Sequence, residues 1–270
     1  MTSFSTLSHA PLASAPSATN EVSTAINDKL SDLYRIAERS LHVFGSPAGP
    51  LRGRRGQLHL LPRFVYFGAS SSNAALRLAF YAGLDHRDLR STLALLKLVE
   101  GLALKPDLGQ ALNLSFFPLV DVLGLAHDLP DRNLATANWA TSTAPEIQLL
   151  ERDARLRAYD GFVRLESIPD SDAVSIRLRS PQPSENAAPE LEVIASTDVD
   201  PFDVRWEAES HDTSRSGPLS IADDVPVQPF ELVVGIPASW STELYAESAA
   251  SILKRFVVRH RGFISYAQHL

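Results

Sequence analysis

An apolar run that ends in glycine and is followed at once by charged residues limits the folds open to this chain. Residues 75–82 are almost continuously apolar, Gly83 ends the run, and the four polar residues 85–88 follow. Apolar side chains on both faces are typical of a central strand that is covered by helices on both sides. In open α/β sheets, ligands bind beyond the carboxyl ends of such strands. The run therefore predicts an α/β fold and the sheet edge at which a site would lie.

Strand and helix patterns alternate along most of the chain, which is the order typical of α/β proteins. Five apolar segments predict strands: Leu58–Phe67, Ala75–Ala82, Leu112–Phe117, Gly161–Glu166 and Phe230–Val234. Four segments with apolar residues at helical spacing predict helices: Ala25–Leu41, Leu89–Leu104, Pro145 to about Arg157, and Thr242–Val258. The third helix is preceded by a capping-box pattern at Thr143–Glu146. The order predicts a three-layer α/β/α sandwich with a mixed, mostly parallel central sheet.

The chain of 270 residues fits one large α/β domain. Residues 1–20 are rich in Ser, Ala, Thr and Pro and predict a flexible tail, so residues 21–270 would form the domain. Patterns are weakest from residue 168 to residue 229. Short strands are predicted there at Ala173–Leu178, Leu191–Ile194 and Val204–Glu207.

Composition excludes several kinds of chemistry. The chain has no cysteine, so it has neither disulfides nor thiolate sites. Its formal net charge of −7 argues against nucleic acid or an anionic membrane as the main partner. No apolar run reaches the length of a membrane span, and no signal-peptide pattern is visible. We therefore expect a cytoplasmic protein.

Six segments occur in the order found in one enzyme superfamily. They are Arg77–Asp88, Phe117–Gly124, Asn133–Thr136 with Trp139 shortly after, Pro145–Glu151, Tyr159–Glu166, and Phe230–Pro237 with the long helix that follows. Together they resemble the zinc-carboxypeptidase and succinylglutamate-desuccinylase/aspartoacylase superfamily, from about Leu58 to Leu270. The resemblance implies a zinc-carboxypeptidase-like α/β domain.

The resemblance also implies a zinc centre. The sequence differs from the superfamily at each ligand position and at the position of the general base. The superfamily holds Zn²⁺ with two histidines and one carboxylate, and a glutamate acts as general base. Here Asp85 and Glu166 stand in place of the two histidines, and Asp88 stands in place of the ligand glutamate. Gly235 stands in place of the general base, so no catalytic residue is predicted. The chain is identified as a degenerate member that lacks the zinc ligands.

Three carboxylates in one pocket repel each other unless they are protonated, paired or bound to a cation. We favour neutralisation by Arg87, His86 and Arg164, or a pocket that stays filled with water. As an alternative, an all-oxygen cluster would suit Mg²⁺, Ca²⁺ or Mn²⁺ better than Zn²⁺. His86, next to Asp85, is an outside candidate for a metal ligand. The other residues that the resemblance places at the substrate pocket are Asp121, Arg132, Asn133, Ala135 and Thr136.

Two functions follow from these substitutions. The favoured prediction is a non-catalytic relative of the zinc carboxypeptidases, without a cofactor, that binds a small ligand or a protein partner in the former active-site pocket. The alternative is a metal-dependent amide hydrolase, of carboxypeptidase or N-acyl-amino-acid deacylase type, with a rebuilt metal site or one that the alignment misplaces.

Overall fold

The structure is a computed structural model that describes residues 18–53, 56–68, 75–106, 111–127, 129, 132–179, 204–208, 217–224 and 229–267. Its helices are α1 Ala18–Ala37, α2 Leu89–Leu104, α3 Val122–His127, α4 Pro145–Arg157 and α5 Thr242–Ala267, with a 3₁₀ helix at Pro218–Asp224. Its strands are β1 Val43–Gly45, β2 Ala48–Arg52, β3 Leu58–Leu61, β4 Phe64–Phe67, β5 Leu76–Tyr81, β6 Leu112–Phe117, β7 Gly161–Ile168, β8 Val174–Arg179, β9 Val204–Ala208 and β10 Phe230–Pro237.

Eight strands form one mixed sheet in the order β1-β4-β6-β5-β7-β10-β8-β9. The four central strands β6, β5, β7 and β10 run parallel, and antiparallel pairs flank them on both sides. Because parallel strands end at the same edge, the segments after β5, β7 and β10 come together in space. The remaining strands, β2 and β3, form a separate two-stranded sheet.

Helices cover both faces of the large sheet. Buried residues of α1, α2 and α5 form one hydrophobic cluster with one face of the sheet. The opposite face packs against α4, the 3₁₀ helix and the fully buried Trp139. All eight residues of β10 are buried, as expected for a central strand between two helical layers. This arrangement confirms the predicted three-layer sandwich and its mixed, mostly parallel sheet.

The structure corrects two local predictions. The single strand predicted at Leu58–Phe67 is two strands in different sheets, and they separate at Pro62, which has no N–H to donate to a ladder. The capping box at Thr143–Glu146 does not form either. The N-cap of α4 is Ala144, whose methyl side chain cannot accept a hydrogen bond, and the buried carboxylate of Glu146 accepts the N–H of Leu123.

Two predictions fall on residues outside those that the structure describes. They are the strand at Leu191–Ile194 and most of the tail at residues 1–20, whose last three residues lie in α1. The strands predicted at Ala173–Leu178 and Val204–Glu207 are present as β8 and β9.

Candidate functional site

A pocket of about 590 Å³ opens at the carboxyl ends of β5 and β7. Its polar lining comes from the loop after β5, from residue 133, from the end of β7 and from β8. Its lining includes Asp85, Asp88, Asn133, Ala135, Glu166, Ser167, Ile168, Ser171, Ser175 and Arg177. All three positions that the resemblance assigns to metal ligands therefore border one pocket.

Asp85 is engaged by the arginine two residues later. The Arg87 guanidinium donates to both carboxylate oxygens at 2.9 and 2.7 Å, and the Arg87 backbone N–H donates to Oδ1 at 2.9 Å. These hydrogen bonds hold the pKa of Asp85 below its ordinary value, although partial burial opposes the effect. Asp85 is thus an ionised carboxylate whose charge is balanced within its own turn.

Both carboxylate oxygens of Asp88 accept hydrogen bonds that join elements of the fold. Oδ1 caps α2 by accepting from the backbone N–H of Ser91 at 3.3 Å, and it also accepts from the Ser167 hydroxyl at 2.6 Å. Oδ2 accepts from the backbone N–H of Ser167 at 2.9 Å. One carboxylate therefore ties the start of α2 to the end of β7.

We expect Asp88→Ala to lower the free energy of unfolding by about 2 kcal/mol, because it removes a helix cap and leaves the N–H of Ser167 without its acceptor. The matched control is Asp85→Ala, whose partner Arg87 is largely exposed and whose loss should cost less than about 1 kcal/mol. Chemical denaturation of both variants measures the difference. Equal losses would contradict the structural role of Asp88.

Glu166 forms an ion pair with Arg177 of β8, and both side chains are partly exposed at the pocket. The prediction that Arg164 neutralises the acidic pocket is wrong, because that guanidinium pairs with Glu231. Arg177 reaches Glu166 across β10, since β10 lies between β7 and β8. Sequence reasoning missed Arg177 because it lies in the weakly patterned region after residue 168.

His86 is buried, is not part of the pocket lining, and belongs to a buried polar network. Its Nδ1 lies 2.8 Å from Oδ2 of Asp121, which also accepts the His86 backbone N–H at 3.2 Å. The other oxygen of Asp121 lies 3.3 Å from Nε of Arg132, and Arg132 forms an ion pair with Glu146. Asp121 and Glu146 are fully buried, and Glu146 also accepts the N–H of Leu123 at 3.1 Å. The network holds the loop after β6 against α4.

The remaining predicted pocket residues divide between the pocket and its surroundings. Asn133 and Ala135 line the pocket, and the side chain of Asn133 accepts the N–H of Ala135 at 2.8 Å. Thr136 is exposed and is not part of the lining, whereas Asp121 and Arg132 belong to the buried network. The resemblance thus groups residues that the structure places in two separate sites.

Gly235, the position that the resemblance assigns to the general base, faces a hydrophobic side chain from the neighbouring strand. A Cβ at Gly235 would lie 2.4 Å from Cδ1 and 2.7 Å from Cγ1 of Ile168. Gly235 pairs with Glu166 on one side and with Ser175 on the other. The surface that a base would occupy is therefore formed by the apolar side chain of Ile168.

The residues at these positions do not fit a zinc centre. Zinc sites of this kind need imidazole ligands and free carboxylate oxygens. Here Asp85, Asp88 and Glu166 each have a partner within the protein, and His86 is bound to Asp121. Within the described ranges, no group of three or more His, Asp or Glu side chains is arranged to hold a metal ion.

Solved structures with a similar fold are metallopeptidases and related proteins. A metallo-carboxypeptidase from Burkholderia cenocepacia has a TM-score of 0.67 at 16% identity, over 87% of this chain and 68% of its own. A metallo-carboxypeptidase from Pseudomonas aeruginosa has a TM-score of 0.65 at 12% identity, over 84% and 67%. An aspartoacylase family protein from Mesorhizobium loti has a TM-score of 0.57 at 13% identity, over 78% and 67%.

The comparisons define the class of fold. The chain has the fold of the metallocarboxypeptidases and of aspartoacylase-family proteins, which confirms at that level the resemblance predicted from the sequence. No protein-family model matches the sequence, and no curated protein matches it. None of the helices that the structure describes has the length and apolar character needed to cross a bilayer.

Proposed function

We propose that this chain is a non-catalytic relative of the metallocarboxypeptidases that binds a small polar ligand or a segment of a partner protein in the pocket after β5 and β7. The observation that carries the proposal is the engagement of all three carboxylates by protein groups. Asp85 is held by Arg87, Asp88 caps α2, and Glu166 is paired with Arg177. Binding a metal there would break contacts that stabilise the fold.

The lining supports binding of a polar ligand rather than an apolar one. The hydroxyl-bearing residues Ser167, Ser171 and Ser175 share the pocket with Asn133 and with the guanidinium of Arg177. Hydroxyl groups both donate and accept hydrogen bonds, and the ion pair of Arg177 and Glu166 presents a cationic and an anionic group side by side, which suits a zwitterionic ligand. Amino acids, N-acyl amino acids and peptide C-termini are therefore the first ligands to test.

The hydrolase alternative is tested with the same compounds. The protein, supplied with Zn²⁺, Mg²⁺ or Mn²⁺, is incubated with N-acyl amino acids and short peptides, and release of free amino acid is measured. We expect no turnover with any of these metals. Turnover that disappears in the Glu166→Ala variant would place catalysis in this pocket and overturn the proposal.

Occlusion of the pocket provides the positive test. Ser175 lies on β8 within the lining, so Ser175→Phe should fill the pocket and abolish binding of any compound of the panel that binds the wild type. The control is Ser31→Phe, the same change at an exposed position of α1. Calorimetric titration measures binding, and circular dichroism verifies the fold. Undiminished binding to Ser175→Phe, or binding of no compound, would contradict the proposal.

A further inference from the structure

Two histidines meet where the two-stranded sheet packs against α3, away from the pocket. His59 lies on β3 and His127 is the last residue of α3. Their rings are 5.5 Å apart between centroids and are nearly perpendicular, at 82°. The Nε2 atoms of both rings are buried, and neither has a hydrogen-bond partner among the residues that the structure describes.

Both nitrogens approach the same point beside Gly53. A Cβ placed on Gly53 would lie 2.5 Å from Nε2 of His127 and 3.2 Å from Nε2 of His59. The two nitrogens are therefore at most 5.7 Å apart, the sum of these distances. Only glycine fits here without displacing an imidazole. The absence of a side chain at residue 53 lets the two rings converge.

Buried ring nitrogens without partners are costly, since each loses its hydrogen bonds to water on folding. Neutral imidazole is also the commonest metal ligand of proteins and suits Zn²⁺, Cu²⁺ and Ni²⁺. Two Zn–N bonds of about 2.0–2.1 Å in tetrahedral geometry place the nitrogens about 3.3 Å apart. This separation lies below the upper limit given by Gly53.

We propose that His59 and His127 form a two-histidine site for a transition-metal cation, represented here by Zn²⁺, which links the β2–β3 sheet to α3. The two imidazoles fill two positions of a tetrahedral site, and the other two positions are open to water. The ion bridges two elements that are otherwise joined through side-chain packing. It therefore binds the docked arrangement in preference to the undocked one and stabilises the fold.

The test is thermal unfolding of the full chain during titration with ZnCl₂, with MgCl₂ as the negative probe. We expect the unfolding midpoint to rise with the logarithm of the zinc concentration and not to respond to magnesium. His59→Gln and His127→Gln should each weaken zinc binding at least tenfold. Gly53→Ala retains both histidines but places a methyl group against Nε2 of His127, so it should weaken zinc binding to a similar extent.

Wild-type protein provides a second readout that does not depend on folded variants. In nuclear magnetic resonance spectra, zinc should shift the imidazole signals of His59 and His127 and leave those of His42 unchanged. No zinc response would overturn the proposal and leave the two nitrogens to a bridging water. A response that persists in both histidine variants but disappears in Glu166→Ala would also overturn it, because the ion would then lie in the pocket.

Discussion

Replacing Glu231 with glutamine should lower the free energy of unfolding by about 3–5 kcal/mol. Glu231 is fully buried on β10, with Arg164 at 2.8 Å and Arg179 at 2.5 Å. Burial raises the pKa of Glu231 above its ordinary value, and the two guanidinium groups oppose that rise. Glutamine keeps the shape of the side chain but removes the buried negative charge that faces both guanidinium groups. The loss therefore measures the contribution of this buried carboxylate to the stability of the fold.

Glu247→Gln is the matched control. Glu247 is exposed on α5 and pairs with Lys97 at 3.3 Å. The same substitution there should change the free energy of unfolding by less than about 1 kcal/mol, because exposed ion pairs are weak. Both variants are compared by urea denaturation in one buffer. A loss in Glu231→Gln no larger than in the control would contradict the inferred role of the buried cluster of Glu231, Arg164 and Arg179.

A large effect of pH on stability is also expected, from His260 of α5. This side chain is 7% exposed between Phe230 and Phe256, and its Nδ1 has no hydrogen-bond partner among the described residues. Burial lowers the pKa of His260 from 6.5 to about 4. Between these values the unfolded chain binds a proton that the folded chain does not. Above pH 6.5, His260 therefore does not lower the free energy of unfolding. As the pH falls to about 4, its titration lowers the free energy of unfolding by about 3 kcal/mol.

The variant His260→Phe isolates this contribution from those of the carboxylates. Phenylalanine does not titrate, and it retains an aromatic ring for stacking on Phe256. The difference in free energy of unfolding between wild type and variant should change by about 3 kcal/mol between pH 7 and pH 4. Denaturation curves at several pH values provide this difference. Parallel pH profiles for the two proteins would contradict a buried neutral imidazole.

Sequence patterns predicted the helices and strands that are rich in apolar residues at regular spacing. The bounds of α2 and β6 agree with the predicted bounds, because both are dense in apolar residues and bounded by polar or turn-forming residues. The division of Leu58–Phe67 into β3 and β4 was not predicted, since strand partners come from distant parts of the chain. Local pattern thus identified strands and left their pairing undetermined.

The site was predictable in position and not in its internal contacts. The sheet edge after β5 follows from Gly83 and the polar residues after it, and Asp85, Asp88 and Glu166 do border the same pocket. The partner of Glu166 depends on β8 pairing with β10, which sequence spacing does not reveal. Similarly, Glu146 had the spacing of a helix cap, and its contact with Arg132 across the fold replaced that role.

The contact between Gly235 and Ile168 has a consequence for the order of evolutionary change. A glutamate introduced at residue 235 would collide with Ile168 while that isoleucine keeps its present conformation. A smaller residue at position 168 would remove this obstacle. By itself, however, that change would leave a glycine, and no carboxylate, at position 235. Neither step alone installs an unobstructed carboxylate here, so a glutamate at residue 235 requires a coupled pair of mutations. Directed evolution from this chain should accordingly begin from libraries in which both positions vary together.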